Sequence, residues 1–114
     1  MYIDQFRNSE GARRSLISFV KDEWNWVEIQ VTSLEEALGF WDPLLTGAGY
    51  VGCQSWDWGR SYELGTNRVI IMQVEAADWQ LNAEAADTHL MSQVPANQMS
   101  SFKDITTRLL EAGL

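Results

Sequence analysis

Apolar residues recur along residues 8–22 at Ala12, Leu16, Phe19 and Val20, the i, i+4, i+7, i+8 spacing of one helical face. Asn8 or Ser9 stands where a cap is needed, so a first helix is predicted, with Arg14 and Lys21 sharing its polar stripe. The period then changes to two. Residues 24–32 (WNWVEIQVT) alternate Val27, Ile29 and Val31 with Trp24, Trp26, Glu28 and Gln30. Their β-branched and aromatic content predicts a strand with one aliphatic face and one mixed aromatic and polar face.

Ser33-Leu34-Glu35-Glu36 matches a capping box and opens a helix with Leu34, Ala37, Leu38 and Trp41 on one face. Asp42-Pro43 is expected to interrupt it, because proline lacks an N–H and disfavours helix at the residue before it; the alternative is that Asp42 caps a short second turn with Pro43 in its first position. Gly47 and Gly49 end the segment. Residues 50–58 and 68–76 read as strands, the second central and covered on both faces because it is nearly all apolar through Met72. Ser61 to Leu64 forms a short strand, with Gly65-Thr66-Asn67 as the turn into Arg68. Trp79, Ala83, Ala86, Leu90 and Val94 repeat with helical spacing between a cap at Asp78 and a stop at Pro95. A final helix spans Ser101 to Ala112, with Phe102, Ile105, Leu109 and Leu110 inward and Ser101-x-x-Asp104 as a weak capping box.

The predicted order is α-β-α-β-β(-β)-α-α over one α+β domain, residues 1–114. Its expected architecture is two layers: a sheet of about four strands, mixed or antiparallel, with helices packed on it. Val27, Ile29, Val31, Val69, Ile71, Phe102, Ile105 and Leu109 are the expected core.

Composition agrees with one globular domain: 114 residues, 46% hydrophobic and 21% charged. The longest apolar run, Val69 to Met72, is far below the roughly 20 residues of a membrane-spanning helix. Residues 1–7 carry no apolar stretch of a secretory signal, and Cys53 is the single cysteine, which excludes an internal disulfide. A cytoplasmic location is expected. Charge alters the picture more. The net charge is −8, divided into +2 over residues 1–21 and −10 over residues 22–114. Such a surface repels nucleic acid and membranes and attracts a basic partner.

Candidate chemistry is sparse. Gly47-Ala48-Gly49-Tyr50-Val51-Gly52 spells G-x-G-x-x-G, but it follows a helix and precedes a strand, the reverse of the dinucleotide-binding order. His89 is the only histidine, and neither it nor Cys53 lies in a nucleophile motif. Cys53, alternating with Val51 and Ser55, reads as a small core residue. Glu84, Asp87 and His89 are spaced so that the last points away from the first two on a helix. No catalytic residue, metal site or cofactor is therefore predicted, and the chain is expected not to be an enzyme. An enzyme using carboxylates alone is the third reading, although nothing singles out one pair among sixteen acids.

Tryptophan is the local anomaly. Six occur, four of them in the pairs Trp24-Asn25-Trp26 and Trp56-Asp57-Trp58. On a strand each pair directs both rings to one face, which for Trp24 and Trp26 is opposite the aliphatic face. Such rings either fill a second core layer or line a binding platform. Combined with the acidity, they predict a small protein-binding module: a stoichiometric inhibitor, immunity or adaptor protein that masks a basic surface on its target. Its acids would stand in for phosphates at a nucleic-acid site. The partner-binding residues are then Trp24, Trp26, Trp56, Asp57, Trp58, Glu28 and Glu63, and a homodimer is compatible. The rival reading is a small-molecule-binding domain with a tryptophan-lined pocket. Salt separates them: the inhibitor's complex weakens as ionic strength rises, whereas a ligand pocket responds little.

Overall fold

A computed structural model of the protein describes residues 2–3, 15–20, 23–85 and 94–111. The strands are β1 (Tyr2–Ile3), β2 (Leu16–Val20), β3 (Glu23–Val31), β4 (Val51–Trp56), β5 (Gly59–Leu64) and β6 (Asn67–Gln73). The helices are α1 (Leu34–Gly47), α2 (Ala76–Glu84) and α3 (Met99–Glu111), the last entered through a 3-10 turn at Ala96–Gln98. The strands form one mixed sheet in the order β1-β2-β3-β6-β5-β4, in which only β3 and β6 run parallel. The α+β class is as the sequence predicts, and of the two expected sheet types, mixed or antiparallel, the sheet is mixed, with six described strands against about four expected.

The added strands come partly from the segment expected to be a helix. Leu16–Val20 is β2, paired to β1 and β3; residues 8–14 and 21–22, with Arg14 and Lys21, lie outside the described residues. Four apolar side chains in LISFV satisfy a helical stripe and a buried strand equally well. The sheet uses both of its faces: Ile17 and Phe19 enter the main core, and Leu16 points the other way, against Trp79 and Ala83.

The main core lies between the sheet and α1 with α3. Val27, Ile29, Val31, Val69 and Ile71 meet Ala37, Trp41 and Leu45 of α1 and Ile105 of α3, all buried. The side chains of Phe102 and Leu109 lie outside the described set. Ser33 Oγ accepts the Glu36 N–H at 3.4 Å, as the capping box requires. The expected break at Asp42-Pro43 does not occur: α1 runs through Pro43 to Gly47. Gly39, whose carbonyl the proline leaves unpaired, is solvent-exposed like Pro43 itself, so water can satisfy it.

α2 covers one end of the opposite face. Trp79 Nε1 donates to the Gln30 carbonyl at 3.0 Å and Asn82 Nδ2 to Gln30 Oε1 at 2.6 Å. The α2 N-cap is Glu75 rather than Asp78, and the helix ends at Glu84, while residues 86–93 are outside the description. Asp104 accepts from Asn67 Nδ2 at 2.7 Å and ties α3 to β6. Among the described residues no helix is long and apolar enough to cross a membrane.

The first tryptophan pair does not share a face. Phe19 pairs with Val27 but Val20 pairs with Glu23, so Trp24, Asn25 and Trp26 have no counterpart on β2 and the alternation is reset. Trp24, 1% exposed, joins the main core beside Phe19 with ring centroids 6.3 Å apart. Trp26 points to the other side. β6 is central, but only Val69 and Ile71 are fully buried; Ile70 and Met72 remain partly exposed on the face that, among the described residues, nothing covers beyond α2.

Candidate functional site

Residues directly opposite on neighbouring strands point to the same face, so the register lays out what the uncovered face presents. One row across it runs Trp26, Arg68, Glu63 and Val51. The next runs Glu28, Ile70, Ser61 and Gln54, and a third Met72, Gly59 and Trp56. With α2 confined to the Gln30 end, these rows leave a cleft of about 540 Å³. Trp26 stands at one side and Trp56 at the other, with Ile70, Ser61 and Gln54 between them and Glu63 and Arg68 alongside. The volume is that of ordinary small-ligand pockets, about 300–1,000 Å³.

Trp56 is held in place by Trp58. β4 ends at Trp56, and Asp57-Trp58 is the turn into β5, so the second pair is not carried by strand alternation. The rings instead stack face to face, with centroids 4.7 Å apart and planes 8° apart. Trp58 is 48% exposed, and its carbonyl accepts the Gln73 N–H at 2.7 Å, which anchors the turn to β6. Gly59 makes that approach feasible, because a Cβ there would lie 2.7 Å from the Ile71 carbonyl oxygen. Gly59→Ala is accordingly expected to lose about 1–3 kcal/mol in urea melts. It should also weaken the circular-dichroism couplet of the stacked indoles. An unchanged melt and couplet would show that the turn has room to spare.

The electrostatics are mixed. Arg68 Cζ lies 5.4 Å from the centroid of the Trp26 ring, and its Nε is 3.5 Å from Glu63 Oε1. The Trp26 indole N–H is buried with no hydrogen-bond partner among the described residues, and so is Glu28 Oε2. Burial pushes the Glu28 carboxyl above its ordinary value of 4.5. Folding therefore favours the protonated form, so this stabilisation is complete below pH 4.5 and is lost as pH rises through the higher folded-state value. Glu28→Gln, neutral throughout, is expected to melt higher than the parent at pH 7, the gap closing toward pH 4. A gap that widens on acidification would reverse the assignment.

Cys53 does not sit in the core. It lies exposed on the edge strand, where the β4–β5 register shifts between Gly52 and Gln54. Desolvation against the sheet and the nearby Glu63 carboxylate push its thiol up, away from the reactive thiolate. Tyr62 OH donates to Asp42 Oδ1 at 2.6 Å, with Arg60 Nη1 3.7 Å from the same oxygen. Burial first, then Asp42, raises the phenol far above its usual range, so it acts as a clamp between β5 and α1.

Of the residues singled out in the sequence, Trp26, Trp56 and Glu63 come together in the cleft, and Trp58 joins through the stack. Glu28 is half-buried on the same face beside Ile70, Asp57 is exposed in the turn, and Trp24 belongs to the core. Asp87 and His89 lie outside the described residues, among which no group of three or more His, Cys, Asp or Glu is placed to hold a metal. Arg68, Ser61 and Ile70 were missed. Their signal is the turn, which is one residue shorter than the expected Gly65-Thr66-Asn67: a two-residue loop at Gly65-Thr66, with Gly65 at φ 61°, leaves Asn67 in β6 opposite Leu64 and so sets Arg68 opposite Glu63.

These features define an α+β domain whose mixed sheet leaves an aromatic face partly open. No family model and no curated protein matches the chain. Among solved structures, that of a putative glyoxalase from Bacillus halodurans is 43% identical over 46% of this chain and 40% of its own, with a TM-score of 0.44. The match therefore spans less than half the length of either protein.

Proposed function

We propose that the domain binds a small organic molecule in the cleft on its uncovered sheet face. The observation that carries this reading is Trp26: its ring lines the cleft while its buried indole N–H lacks a partner among the described residues. Leaving a buried donor unmade costs about 1–3 kcal/mol, which a ligand acceptor or an ordered water would recover. Trp56 supplies a second wall, and Ser61, Gln54, Glu63 and Arg68 supply polar groups among apolar ones, the usual composition of a ligand site.

The test is a screen of small aromatic compounds against the full chain, read by the indole N–H resonances. Trp26→Phe and Trp56→Phe would assign the signals. Binders should shift Trp26 and Trp56, and Trp26→Ala should weaken them about tenfold, equivalent to roughly 1.4 kcal/mol. Binders that shift only the other tryptophans would sink the proposal.

A second reading is favoured by the exposure of Trp58 next to Asp57. An aromatic stack at a hairpin tip, on a chain of net charge −8, suits a basic protein surface and an inhibitor or adaptor role. That reading requires a stoichiometric complex whose association slows with salt and whose dissociation quickens in Trp58→Ala.

A further inference from the structure

We infer that the ligand of this cleft is an organic cation, and that Arg68 occupies the cation's place when the cleft is empty. The inference rests on the proposed reading of the cleft as a ligand site. A cation is held by an aromatic face beneath it and a carboxylate at its edge. Both are assembled here around the protein's own guanidinium, with the Trp26 ring 5.4 Å from Cζ and Glu63 Oε1 3.5 Å from Nε.

The contact is a weak one. The Arg68 and Glu63 side chains are 54% and 48% exposed, and pairs this open contribute little once solvent screens them. Arg68 also has somewhere to go. Together with Trp26 it lines a neighbouring cavity of about 480 Å³, whose other walls include Glu23, Asn25 and Thr66. Swinging that way, it would exchange one carboxylate neighbourhood for another and uncover the Trp26 face.

Charge selects the sign of the ligand. Among the described residues that line the two cavities, Glu63 and Glu23 stand against the single base Arg68, and residues 22–114 carry −10 in total. A cation entering this field is attracted and takes over Glu63. An anion would have to enter against the field and separate Arg68 from Glu63, leaving that carboxylate beside it. The class that fits is a quaternary or protonated amine, or a guanidinium, with an apolar part to lie along Ile70 and Trp56; such a cation offers the Trp26 N–H no acceptor, so an ordered water meets that donor.

Three probes of similar size decide it: benzyltrimethylammonium, 3-phenylpropanol and 3-phenylpropionate, titrated into the full chain with the Trp26 and Trp56 indole resonances as readout. The cation should bind most tightly and the anion least. Arg68→Ala, which removes the competitor, should tighten the cation about two- to fivefold. Glu63→Gln should weaken it by a similar factor, with thermal melts confirming that both variants fold. Tightest binding by 3-phenylpropionate, lost in Arg68→Ala, would overturn the inference and make Arg68 an anion anchor. Equal binding of alcohol and cation, indifferent to Arg68→Ala, would also overturn it while leaving the cleft as a ligand site. If none of the three moves either resonance, both the inference and the reading beneath it fail.

Discussion

Trp41→Ala is expected to destabilise the domain by about 3–5 kcal/mol, the range for deleting a large aromatic side chain from a core. Trp41 is fully buried on α1, its ring meets Phe40 edge-on at 5.1 Å, and its Nε1 donates to Ser15 Oγ at 2.8 Å. That one side chain therefore fills the layer between α1 and the sheet and ties the helix to the residue that leads into β2. Small domains are stable by only about 5–15 kcal/mol, so the variant stands near the edge of folding. Trp41→Phe keeps a ring but removes the indole N–H, and should fall between the two in urea melts at constant m-value. A loss below about 1 kcal/mol for Trp41→Ala would mean that α1 is not seated as described.

Nearly as large an effect is expected where the parallel pair of strands meets. Ile29 of β3 lies directly opposite Ile71 of β6, and both are fully buried. Truncating either to alanine should cost about 2–5 kcal/mol. Because the two touch the same space, the double variant should depart from additivity by at least about 0.5 kcal/mol. Ile70, one residue along on the cleft face and partly exposed, gives the control: Ile70→Ala should cost less than either. If Ile70→Ala proved the costliest of the three, the two faces of the sheet would have been exchanged.

That contrast shows how much of the site could be read in advance. The neighbours Ile70 and Ile71 are equally apolar, and only register separates a cleft-facing side chain from a core one. The period-two pattern of Val27, Ile29 and Val31 was enough to assign the core face of β3, because every second residue of a strand shares a face whatever its neighbours are. The same period placed Trp24 wrongly. It assumes an unbroken ladder, and the shift between Phe19 and Val20 returned that ring to the core. Trp56 and Trp58 do not share a strand as the spacing predicts; the turn brings their rings into a stack.

What the amino-acid sequence determined by itself was local. The Ser33 cap, a turn beginning at Gly65, the alternation of β3 and the acidity of residues 22–114 each depend on side chains a few residues apart or on simple counting. Tertiary structure decided the rest. Leu16–Val20 became a strand because, between β1 and β3, it buries Ile17 and Phe19 on one face and Leu16 on the other, where a helix would bury a single stripe. Among the described residues, no helix covers the aromatic face of the sheet beyond Gln30, because α2 docks at that end through Trp79 and Asn82, more than forty residues along the chain. A periodic pattern specifies which side of an element is apolar. What covers that side, and so whether Trp26 is core or cleft, is settled by non-local packing, whose partners are remote in sequence.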